Sequence, residues 1–505
     1  MIEVWHSGQA GEDAPQRTLD LGRWDPAHAG VTIQTRRLVQ DSREVGVGDV
    51  FVAIGTSASS ALPFIDAALS QGAVAVLVDA KAAQGVDLDA RVYAVANLRD
   101  VIGPLADAFV DHPSASMSLT GITGTNGKTS TAHLLTQAWQ RLGMSSATIG
   151  TLGAGITGGR RINMGMTTPQ VTAVHHFLDD FHRAGVENVA MEVSSHALEQ
   201  RRVDGVAFDI VAFTNFTRDH LDYHGSMEEY AAQKAKIFAL PGVTAALLNL
   251  DDSAAENHFH HTLPKGMRGI GTTSRGHAEA LVRADNVQLT TEGLEFDLVI
   301  DGESHHVASG LIGRFNVDNL LTCAAVLWAQ GVEPRRIAAV LAPLEPVLGR
   351  MTRIRESDRL PLVVVDAGHT PDAVRQAVTA LRESGHSRIV TVFGATGDRD
   401  PGKRPEMARI VEEGSDLVVV TDDDVHHEDG DQIVAHIRAG FEHPDRVVEI
   451  RDRATAIAYA IDAAAPDDVV LLQGKGHEPY QIIGNERVPF SDIDTAIRLL
   501  KEREQ

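Results

Sequence analysis

The sequence predicts an α/β protein of several domains in which mainly parallel sheets are covered by helices. Two observations lead to this prediction. Apolar runs of strand length alternate with helical patterns along most of the chain, and a glycine-rich turn directly follows one such run. A length of 505 residues favours about three domains. The 43% of residues that are hydrophobic can fill more than one core.

Composition excludes several classes of protein. The net charge of −24, from 45 basic and 69 acidic residues, argues against a nucleic-acid partner. Cys323 is the single cysteine, so an intramolecular disulfide is excluded, and the first fifteen residues lack the basic flank and apolar core of an export signal. No apolar run approaches the ~20 residues of a membrane span. We therefore expect a cytoplasmic protein without membrane insertion.

The first module is small. Residues 1–30 lack clear periodicity and are expected to form a loose lead-in. A strand at Asp49–Ile54, a Gly/Ser/Ala loop at 55–61, a helix from about Pro63 and a strand at Ala73–Val78 follow. Asp111–Ser114 is typical of a linker, so the first domain is predicted at 1–113.

The second module opens with a phosphate-binding turn. A buried strand around Met117–Ile122 breaks into a loop with Gly121, Gly124 and Gly127, and a helix is predicted to begin near Lys128. Glycines allow backbone N–H groups to face an anion, and the helix N-terminus adds partial positive charge. The expected nucleotide-binding residues are Gly124, Thr125, Asn126, Gly127, Lys128, Thr129 and Ser130.

Two of these residues have specific predicted roles. Lys128 would pair with the terminal phosphates of a nucleotide, and the Thr129 hydroxyl would ligate Mg²⁺. The generic phosphate-loop pattern is matched imperfectly, because Ile122 occupies the place of its first glycine. The order of strand, turn and helix nevertheless favours nucleotide binding.

The alternation of strands and helices then continues. Strands are predicted at Val186–Val193, Phe208–Asn215 and Val243–Leu248, with a helix at Ser226–Leu240. Reactive groups in such parallel sheets collect at the carboxyl ends of the strands. Glu192 follows a buried strand there and is a candidate Mg²⁺ ligand. Other polar residues at these ends are Thr214, Asn215, Asp219 and His220.

The remaining chain predicts a small antiparallel hairpin region at 275–310, a helix from about Asn316 to Leu327, and a third module. The domain boundaries are therefore placed at 114–346 and 347–505. The third module carries no G-x-G-x-x-G fingerprint, which disfavours a dinucleotide site. Its predicted strands are Leu362–Asp366, Ile389–Phe393, Leu417–Thr421 and Val469–Gln473.

Ordered motifs along nearly the whole chain carry a family resemblance. They are GTNGKT at 124–129, TTP at 167–169, EVSSHALEQRRV at 192–203, TRDHLDYHG at 217–225, LIGRFNVDN at 311–319, GRM at 349–351, Asp366 with HTPD at 369–372, FGATGDRDPGKRP at 393–405 and GKGHEPYQI at 474–482. This set resembles the Mur ligases, and among them the enzymes that add the third peptide residue to the peptidoglycan precursor.

The resemblance implies a three-domain fold and a reaction. An N-terminal domain would bind the uridine nucleotide, a central P-loop domain ATP, and a Rossmann-like C-terminal domain the amino acid. ATP would phosphorylate the γ-carboxylate of D-Glu in UDP-MurNAc-L-Ala-D-Glu, and the amine of a diamino acid would attack the acyl phosphate. The expected cofactors are ATP and Mg²⁺, and a monomer is expected.

The resemblance also implies roles for individual residues. Lys128, Glu192, His220, Lys234 and Arg350 match catalytic positions, and Thr129, Glu192, His220 and Lys234 match positions that serve the metal. Asn316, Arg350 and Asp366 would contact ATP, the last two bringing the third domain over the site. Positions for the sugar nucleotide are Ser42, Thr167, Thr168, Ser194, Gln200 and Arg202, whereas contacts from the 55–61 loop are left open.

Lys234 is a special case within this resemblance. The matching lysine of the family is carbamylated by CO₂, which turns an ammonium into an anionic oxygen ligand near Mg²⁺. The spacing from Tyr230 to Lys234 after His224 fits the family. Without the resemblance, Lys234 would be a solvated helical lysine, as Lys236 is expected to be.

The third amino acid is argued from four residues. Family members that add meso-diaminopimelate carry Asp-Asn-Pro-Arg, where this chain has Asp423, Asp424, Val425 and His426. A neutral histidine is a poor substitute for a guanidinium fork. Asp423 and Glu478 would instead offer carboxylates to a side-chain ammonium, and Arg399 would take the α-carboxylate. This favours L-lysine, with ornithine and meso-diaminopimelate as alternatives; the predicted amino-acid contacts are Arg399, Asp423, Asp424, His426, Gly474 and Glu478.

Other interpretations remain open at this stage. The histidine groups at 258–261, 305–306 and 426–427 do not predict a zinc site, because no cysteine pair could complete one, and all but His426 are expected to be solvated. A ligase similar to folylpolyglutamate synthetase would share the ATP chemistry. A nucleotide-binding regulatory protein would bind ATP without ligation.

Overall fold

The computed structural model describes residues 15–504 except 56–57, 160, 218–223 and 225. The chain divides into two compact units. Unit 1 comprises Met1–Arg283, Val299–Glu303 and Asp318–Val340, and unit 2 comprises Ala284–Leu298, Ser304–Val317 and Leu341–Gln505. The boundaries predicted after residues 113 and 346 stay predictions.

The described residues form strands and helices in alternation. The strands are β1 Arg17–Asp20, β2 Thr32–Thr35, β3 Leu38–Val39, β4 Val50–Ala53, β5 Ala75–Asp79, β6 Val92–Val95, β7 Ser118–Thr123, β8 Ser146–Gly150, β9 Gly153–Ile156, β10 Arg161–Ile162, β11 Asn188–Glu192, β12 Ile210–Phe213, β13 Ala245–Asn249, β14 Arg268–Thr273, β15 Val282–Thr290, β16 Gly293–Ile300, β17 Glu303–Ser309, β18 Thr352–Ile354, β19 Leu362–Asp366, β20 Ile389–Phe393, β21 Leu417–Val420, β22 Val448–Glu449, β23 Val469–Gln473, β24 Tyr480–Ile483 and β25 Glu486–Pro489.

The α-helices lie between these strands. They are Ala58–Ala61, Ile65–Ser70, Leu98–Phe109, Lys128–Arg141, Val171–Arg183, Ser195–Glu199, Met227–Ala235, Ser253–His261, Arg314–Ala329, Pro334–Leu341, Pro371–Glu383, Lys403–Gly414, Gly430–Arg438, Arg453–Asp462 and Asp492–Glu504. Within the part of the chain that the structure describes, no helix is both long and apolar enough to cross a membrane.

The first part of unit 1 is a small parallel sheet with the order β3-β4-β5-β6. Its apolar strands bury Val50, Val52 and Leu77. The expected loose lead-in is wrong for residues 17–20, because β1 pairs antiparallel with β2. Leu19 and Ile33 give these two strands a buried face, which holds them against the same core.

The larger sheet of unit 1 positions the phosphate loop at the carboxyl end of its strand β7. The strand order is β10-β9-β8-β11-β7-β12-β13-β14, and β8, β11, β7, β12, β13 and β14 run parallel. Strand β7 therefore lies between β11 and β12, so all three carboxyl ends meet at one sheet edge. The region 275–310, predicted to be a small antiparallel hairpin region, forms three strands, β15, β16 and β17, that are successive neighbours in a sheet.

Unit 2 contains a second, largely parallel sheet with the order β18-β19-β23-β20-β21-β22. Only β18 is antiparallel to its neighbour, β19, among the pairs of this sheet that the structure describes. The strands predicted at Leu362–Asp366, Ile389–Phe393 and Val469–Gln473 are confirmed to the residue. The predicted α/β class with mainly parallel sheets is therefore confirmed.

Candidate active site

The phosphate loop leaves the carboxyl end of β7 and enters the helix Lys128–Arg141. Gly124 has φ +142° and Gly127 has φ +85°, conformations that side chains rarely adopt. A Cβ at Gly124 would overlap Thr214 Oγ1, and one at Gly127 would lie 2.6 Å from Asn319 Oδ1. The sequence therefore needs glycine at both positions to hold this turn.

The end of β12 fixes the shape of the loop. The backbone N–H of Thr125 donates to the Asn215 carbonyl at 2.9 Å, and that of Asn126 donates to Asn215 Oδ1 at 2.8 Å. Thr214 Oγ1 donates to the Asn126 carbonyl at 2.6 Å. The prediction that Thr214 and Asn215 lie at the strand ends beside this loop is confirmed.

Lys128 folds back over its own loop. Its Nζ donates to the carbonyls of Gly124 and Thr125, at 2.9 Å each. Thr129 and Ser130 follow in the first helical turn, where the helix dipole favours an anion. The ammonium group thus lies at the mouth of a turn suited to phosphate oxygens.

Glu192 ends β11 beside this helix and is only 2% exposed. Its Oε2 accepts from Thr129 Oγ1 at 2.8 Å, and its Oε1 accepts from the backbone N–H of Thr151 at 2.9 Å. Burial raises the pKa of the Glu192 carboxyl, while Lys128, Thr151 and Thr129 act in the opposite direction.

The donors at this point fit a partly hydrated magnesium ion. A carboxylate and a hydroxyl are oxygen ligands, and Mg²⁺ in nucleotide sites usually takes one or two carboxylates together with waters and phosphates. The described residues hold no group of three histidine, cysteine or acidic side chains that could bind a metal alone. His220, expected near the metal, and Asp219, expected at a strand end, lie outside the described residues.

Most of the predicted sugar-nucleotide contacts belong to one hydrogen-bonded set next to Glu192. Thr168 Oγ1 donates to the Glu192 carbonyl at 2.8 Å and accepts from the Ser194 N–H at 3.1 Å. Arg202 Nη1 donates to the Thr168 carbonyl at 2.8 Å, and its Nη2 donates to Gln200 Oε1 at 2.6 Å.

Thr167 joins this set through Thr151. The hydroxyl oxygens of Thr151 and Thr167 lie 3.2 Å apart, and Thr151 Oγ1 also lies 3.1 Å from Glu192 Oε2. Ser42 begins the short 3₁₀ helix Ser42–Glu44, and its contact with the sugar nucleotide stays a prediction. Five of the six predicted positions are therefore brought together.

Lys234 is buried, with 1% exposure, which corrects the solvated lysine that the sequence alone would give. Its Nζ donates to the Gly124 carbonyl at 2.7 Å and lies 4.7 Å from the centroid of the Tyr230 ring. Lys128 and Lys234 thus donate to the same carbonyl of the phosphate loop.

Unit 2 holds Arg350 on a turn fastened by Asp366. The carboxylate of Asp366 accepts from the N–H of Met351 at 3.1 Å and from that of Gly368 at 2.8 Å. Gln473 Nε2 donates to the same carboxylate at 3.1 Å. Arg350 is exposed, and Asn316 is buried with its Nδ2 donating to the Ile312 carbonyl at 2.8 Å. Contacts of these residues with ATP stay predictions.

A buried lysine changes the expected amino-acid site. Lys475 Nζ lies 2.7 Å from Asp424 Oδ1, 3.2 Å from Glu478 Oε2 and 3.7 Å from Asp423 Oδ1. Burial acts to lower the pKa of Lys475, but Asp423, Asp424 and Glu478 outweigh it and raise that pKa. Asp423 and Asp424 are themselves buried. An internal ammonium thus faces Asp423, and a contact of Asp423 with a substrate ammonium stays a prediction.

The other predicted amino-acid contacts surround this cluster. Gly474 has φ +121°, and a Cβ there would lie 2.6 Å from Asp423 Oδ2. His426 adopts φ +51°, and its N–H donates to the Ile482 carbonyl at 3.1 Å. Arg399 is exposed.

Sequence reasoning missed three contributors. Thr151 was not singled out, because it lies after β8, far along the chain from the phosphate loop. Lys475 sits within a quoted motif but was given no role. His258 was expected to be solvated, yet it is buried, 5.4 Å from the Phe213 ring and 5.6 Å from the Phe238 ring. His258 lies three residues after Ala255 in the helix Ser253–His261, on the same buried face, and this spacing could have indicated its burial.

Comparison with known proteins identifies the family. The family model for the Mur ligase middle domain matches residues 122–327, and the model for the Mur ligase, glutamate ligase domain, matches residues 349–476. A relative from Xanthomonas oryzae pv. oryzae (strain MAFF 311018), named UDP-N-acetylmuramoyl-L-alanyl-D-glutamate--2,6-diaminopimelate ligase, is 49% identical over 93% of this chain and 95% of that protein.

Two further matches give the same result. A relative of the same name from Xylella fastidiosa (strain 9a5c) is 50% identical over 92% of this chain and 93% of that protein. A solved UDP-N-acetylmuramoyl-L-alanyl-D-glutamate--2,6-diaminopimelate ligase is 30% identical, with a TM-score of 0.73, covering 97% of this chain and all of that one.

The fold and the site are those of an ATP-dependent amide ligase. The chain belongs to the Mur ligase family. Within that family it is similar to the enzymes that act on UDP-N-acetylmuramoyl-L-alanyl-D-glutamate. The relatives' names give no support to L-lysine as the preferred amino acid.

Proposed function

We propose that this protein joins meso-diaminopimelate to the γ-carboxylate of D-Glu in UDP-MurNAc-L-Ala-D-Glu, with ATP as the energy source. The observation that carries the proposal is the bonding around Glu192. This residue contacts Thr129 of the phosphate loop and, through Thr151 and Thr168, the set that includes Thr167, Ser194, Gln200 and Arg202. A nucleotide and a second anionic substrate could therefore be held side by side.

The chemistry follows from the weakness of a carboxylate as an acyl donor. A carboxylate oxygen attacks the γ-phosphorus, the bond to ADP breaks, and an acyl phosphate forms. The amine nitrogen then bonds to the acyl carbon, inorganic phosphate leaves and the amine loses a proton. Such phosphoryl transfer needs positioned cations more than covalent help. Magnesium, when bound, would neutralise phosphate charge.

Individual residues would serve these steps by position. Lys128 and the loop N–H groups would hold the terminal phosphates, and Thr129 with Glu192 would hold the ion. Contacts of Asn316, Arg350 and Asp366 with ATP, and of His220 with the metal, are part of the proposal.

We further propose that Lys234 is carbamylated in the working enzyme. The Lys234 ammonium first loses a proton to solvent; Nζ of the neutral amine then bonds to the carbon of CO₂ and loses a second proton, so a cation becomes an anion with oxygen donors. Burial against the phosphate loop, at 2.7 Å from the Gly124 carbonyl, supports a role other than solvation.

Replacing the lysine tests this point. Lys234→Ala should abolish phosphate release, and a small carboxylate such as formate should restore part of it by occupying the vacated space. Lys236→Ala is the matched control, because Lys236 lies two residues away and is exposed. Unchanged activity in Lys234→Ala would remove the proposal.

The names of the relatives favour diaminopimelate over L-lysine, because both are 2,6-diaminopimelate ligases. Lys475 Nζ lies 2.7 Å from Asp424 Oδ1 and 3.2 Å from Glu478 Oε2, so an internal ammonium already faces Glu478, one of the two carboxylates predicted to receive a lysine ammonium. Arg399 and His426 would face the two carboxylates of diaminopimelate.

The deciding experiment measures ATP-dependent phosphate release from the muramyl dipeptide nucleotide with each amino acid. We expect meso-diaminopimelate to give a kcat/KM at least tenfold above L-lysine and L-ornithine, which corresponds to about 1.4 kcal/mol. A higher kcat/KM for lysine would overturn the choice of amino acid. Turnover only with a folate substrate, or ATP binding without any ligation, would overturn the function itself.

A further inference from the structure

His224 is a buried histidine for which the reaction described above has no use. Its Nε2 lies 2.9 Å from Ser195 Oγ, and its Nδ1 lies 3.8 Å from Glu199 Oε2. Both partners belong to the helix Ser195–Glu199. The ring of His196, from the same helix, lies 5.3 Å away. One short helix therefore fixes the position and the orientation of this imidazole.

The other side of His224 faces Tyr230. The two ring centroids are 5.0 Å apart with an interplanar angle of 27°, a stacked arrangement. Tyr230 is 1% exposed, and its ring also lies 5.0 Å from that of Phe216. The tyrosine ring is thus held among neighbours that leave it little freedom.

Tyr230 in turn touches the phosphate loop and Lys234. Its hydroxyl lies 3.4 Å from Thr125 Oγ1, and Lys234 Nζ lies 4.7 Å from its ring centroid. Lys234 Nζ then reaches the Gly124 carbonyl. A continuous series of contacts runs from Ser195 through His224 and Tyr230 to the lysine.

Ser195, the first residue of this series, lies beside two residues that are proposed to contact the sugar nucleotide, Ser194 and Gln200. Ser194 caps the helix Ser195–Glu199 by accepting from the Ala197 N–H at 3.1 Å, and Gln200 follows the helix directly. The buried rings of His224 and Tyr230 therefore lie between these proposed substrate contacts and Lys234.

We infer that His224 is a positioning residue that sets the place of Lys234, and with it the carbamate, relative to the phosphate loop. The inference rests on the proposed function of Lys234. A carbamate oxygen is useful only where its distance from the metal and phosphates is held within about 0.5 Å. The hydrogen bond to Ser195 helps to hold this distance, because it prevents the imidazole from turning away from Tyr230.

The test removes the hydrogen bond between His224 and Ser195 by replacing each partner in turn. His224→Phe keeps a ring to stack on Tyr230 but loses the bond, and Ser195→Ala loses the same bond while leaving the imidazole. Each variant should lower kcat roughly fivefold, the effect of one buried hydrogen bond. The double variant should be no worse than either single one, since both remove one interaction.

A second readout separates positioning from general loss of stability. Enzyme in ¹³C-bicarbonate without ATP should show a ¹³C carbamate resonance that Lys234→Ala lacks, and both variants should weaken it. His258→Phe is the matched control, because His258 is also buried in unit 1 but packs on Phe213 and Phe238. That variant should lower the melting temperature while keeping kcat and the resonance.

The outcomes are distinguishable. Full kcat and a full carbamate resonance in both variants would overturn the role of His224, as would losses that only match those of His258→Phe. If His224→Phe fails to fold, Ser195→Ala decides alone. Wild-type protein without ligation and without a carbamate would instead defeat the proposed function.

Discussion

His176 shows how one residue links the small sheet of unit 1 to the larger sheet. Its Nε2 lies 2.9 Å from the backbone nitrogen of Leu38 and accepts that N–H, so the ring must be neutral with its proton on Nδ1. Burial, assisted by the nearby Arg37 and His175, lowers the pKa of His176 from 6.5 to about 3. Protonation would therefore cost both the hydrogen bond and the desolvation of a charge.

This residue should make stability dependent on pH. The unfolded chain takes up the proton near pH 6.5, whereas the folded protein resists it until about pH 3. The contribution of His176 is therefore complete above pH 6.5 and is lost as the pH falls towards 3, by up to about 1.4 kcal/mol per pH unit. Denaturant unfolding at pH 7, 6 and 5 should show a shallower decline for His176→Gln than for the wild type.

A matched histidine provides the control. His182 is exposed on the same helix as His176, so His182→Gln should keep the wild-type decline with pH. Equal slopes for His176→Gln and the wild type would contradict the neutral, hydrogen-bonded state assigned to His176.

Single residues also show what could be predicted from sequence. Lys128, Thr129 and Glu192 could be placed because a turn after a strand, and an acid at a strand end, are local patterns. The burial of Lys234 and Lys475 could not, since each depends on partners distant in the chain. For Lys234 only the family resemblance indicated a role, and for Lys475 nothing did.

At the scale of elements, the phosphate loop explains its departure from the generic pattern. Ile122 and Gly121 both belong to β7, where Ile122 is buried and a Cβ on Gly121 would lie 3.1 Å from the Phe208 ring. The prediction that Gly121 belongs to the loop is thus wrong, because it is a packing glycine within the strand. The turn itself begins at Gly124.

We expect Gly124→Ala to disable this element. A Cβ would overlap Thr214 Oγ1, and the backbone angle disfavours any side chain. The backbone strain alone should lower the free energy of unfolding by about 1–3 kcal/mol. Phosphate release should fall more than tenfold, and the melting temperature should drop.

Gly143→Ala is the control from the same helix region. Gly143 has φ +79° but open space around its Cβ position, so its replacement should cost roughly 1 kcal/mol of stability without loss of turnover. Turnover in Gly124→Ala equal to that of Gly143→Ala would contradict the importance of the close approach to Thr214.

Elements with long apolar runs were predicted well, and short polar ones were not. The strands β19, β20 and β23 agree to the residue, because parallel strands buried on both faces are apolar throughout. The hairpin β24–β25 was missed, since its residues are mixed and largely exposed. The β1–β2 pair was missed because alternation over four residues gives a weak signal.

At the scale of the whole molecule, nucleotide binding should raise the free energy of unfolding. A ligand that binds only the folded state adds RT ln(1 + [L]/Kd), about 2.7 kcal/mol at a hundredfold excess over Kd. A non-hydrolysable ATP analogue with Mg²⁺ should therefore raise the melting temperature measured by calorimetry. Lys128→Ala should lose most of this shift, because the ammonium at the loop is gone.

The exposed Lys236 again gives the comparison. Lys236→Ala carries the same change in net charge but lies outside the phosphate loop, so the nucleotide shift should persist. A full shift in Lys128→Ala would mean that the nucleotide is held elsewhere.

The bond between Thr129 and Glu192 has one more consequence. The hydroxyl and the carboxylate that would share a cation already satisfy each other, and Lys128 and Lys234 already satisfy loop carbonyls. Each of these groups therefore has a partner within the protein, so the fold does not depend on a bound cation, and chelating agents should inactivate the protein without unfolding it.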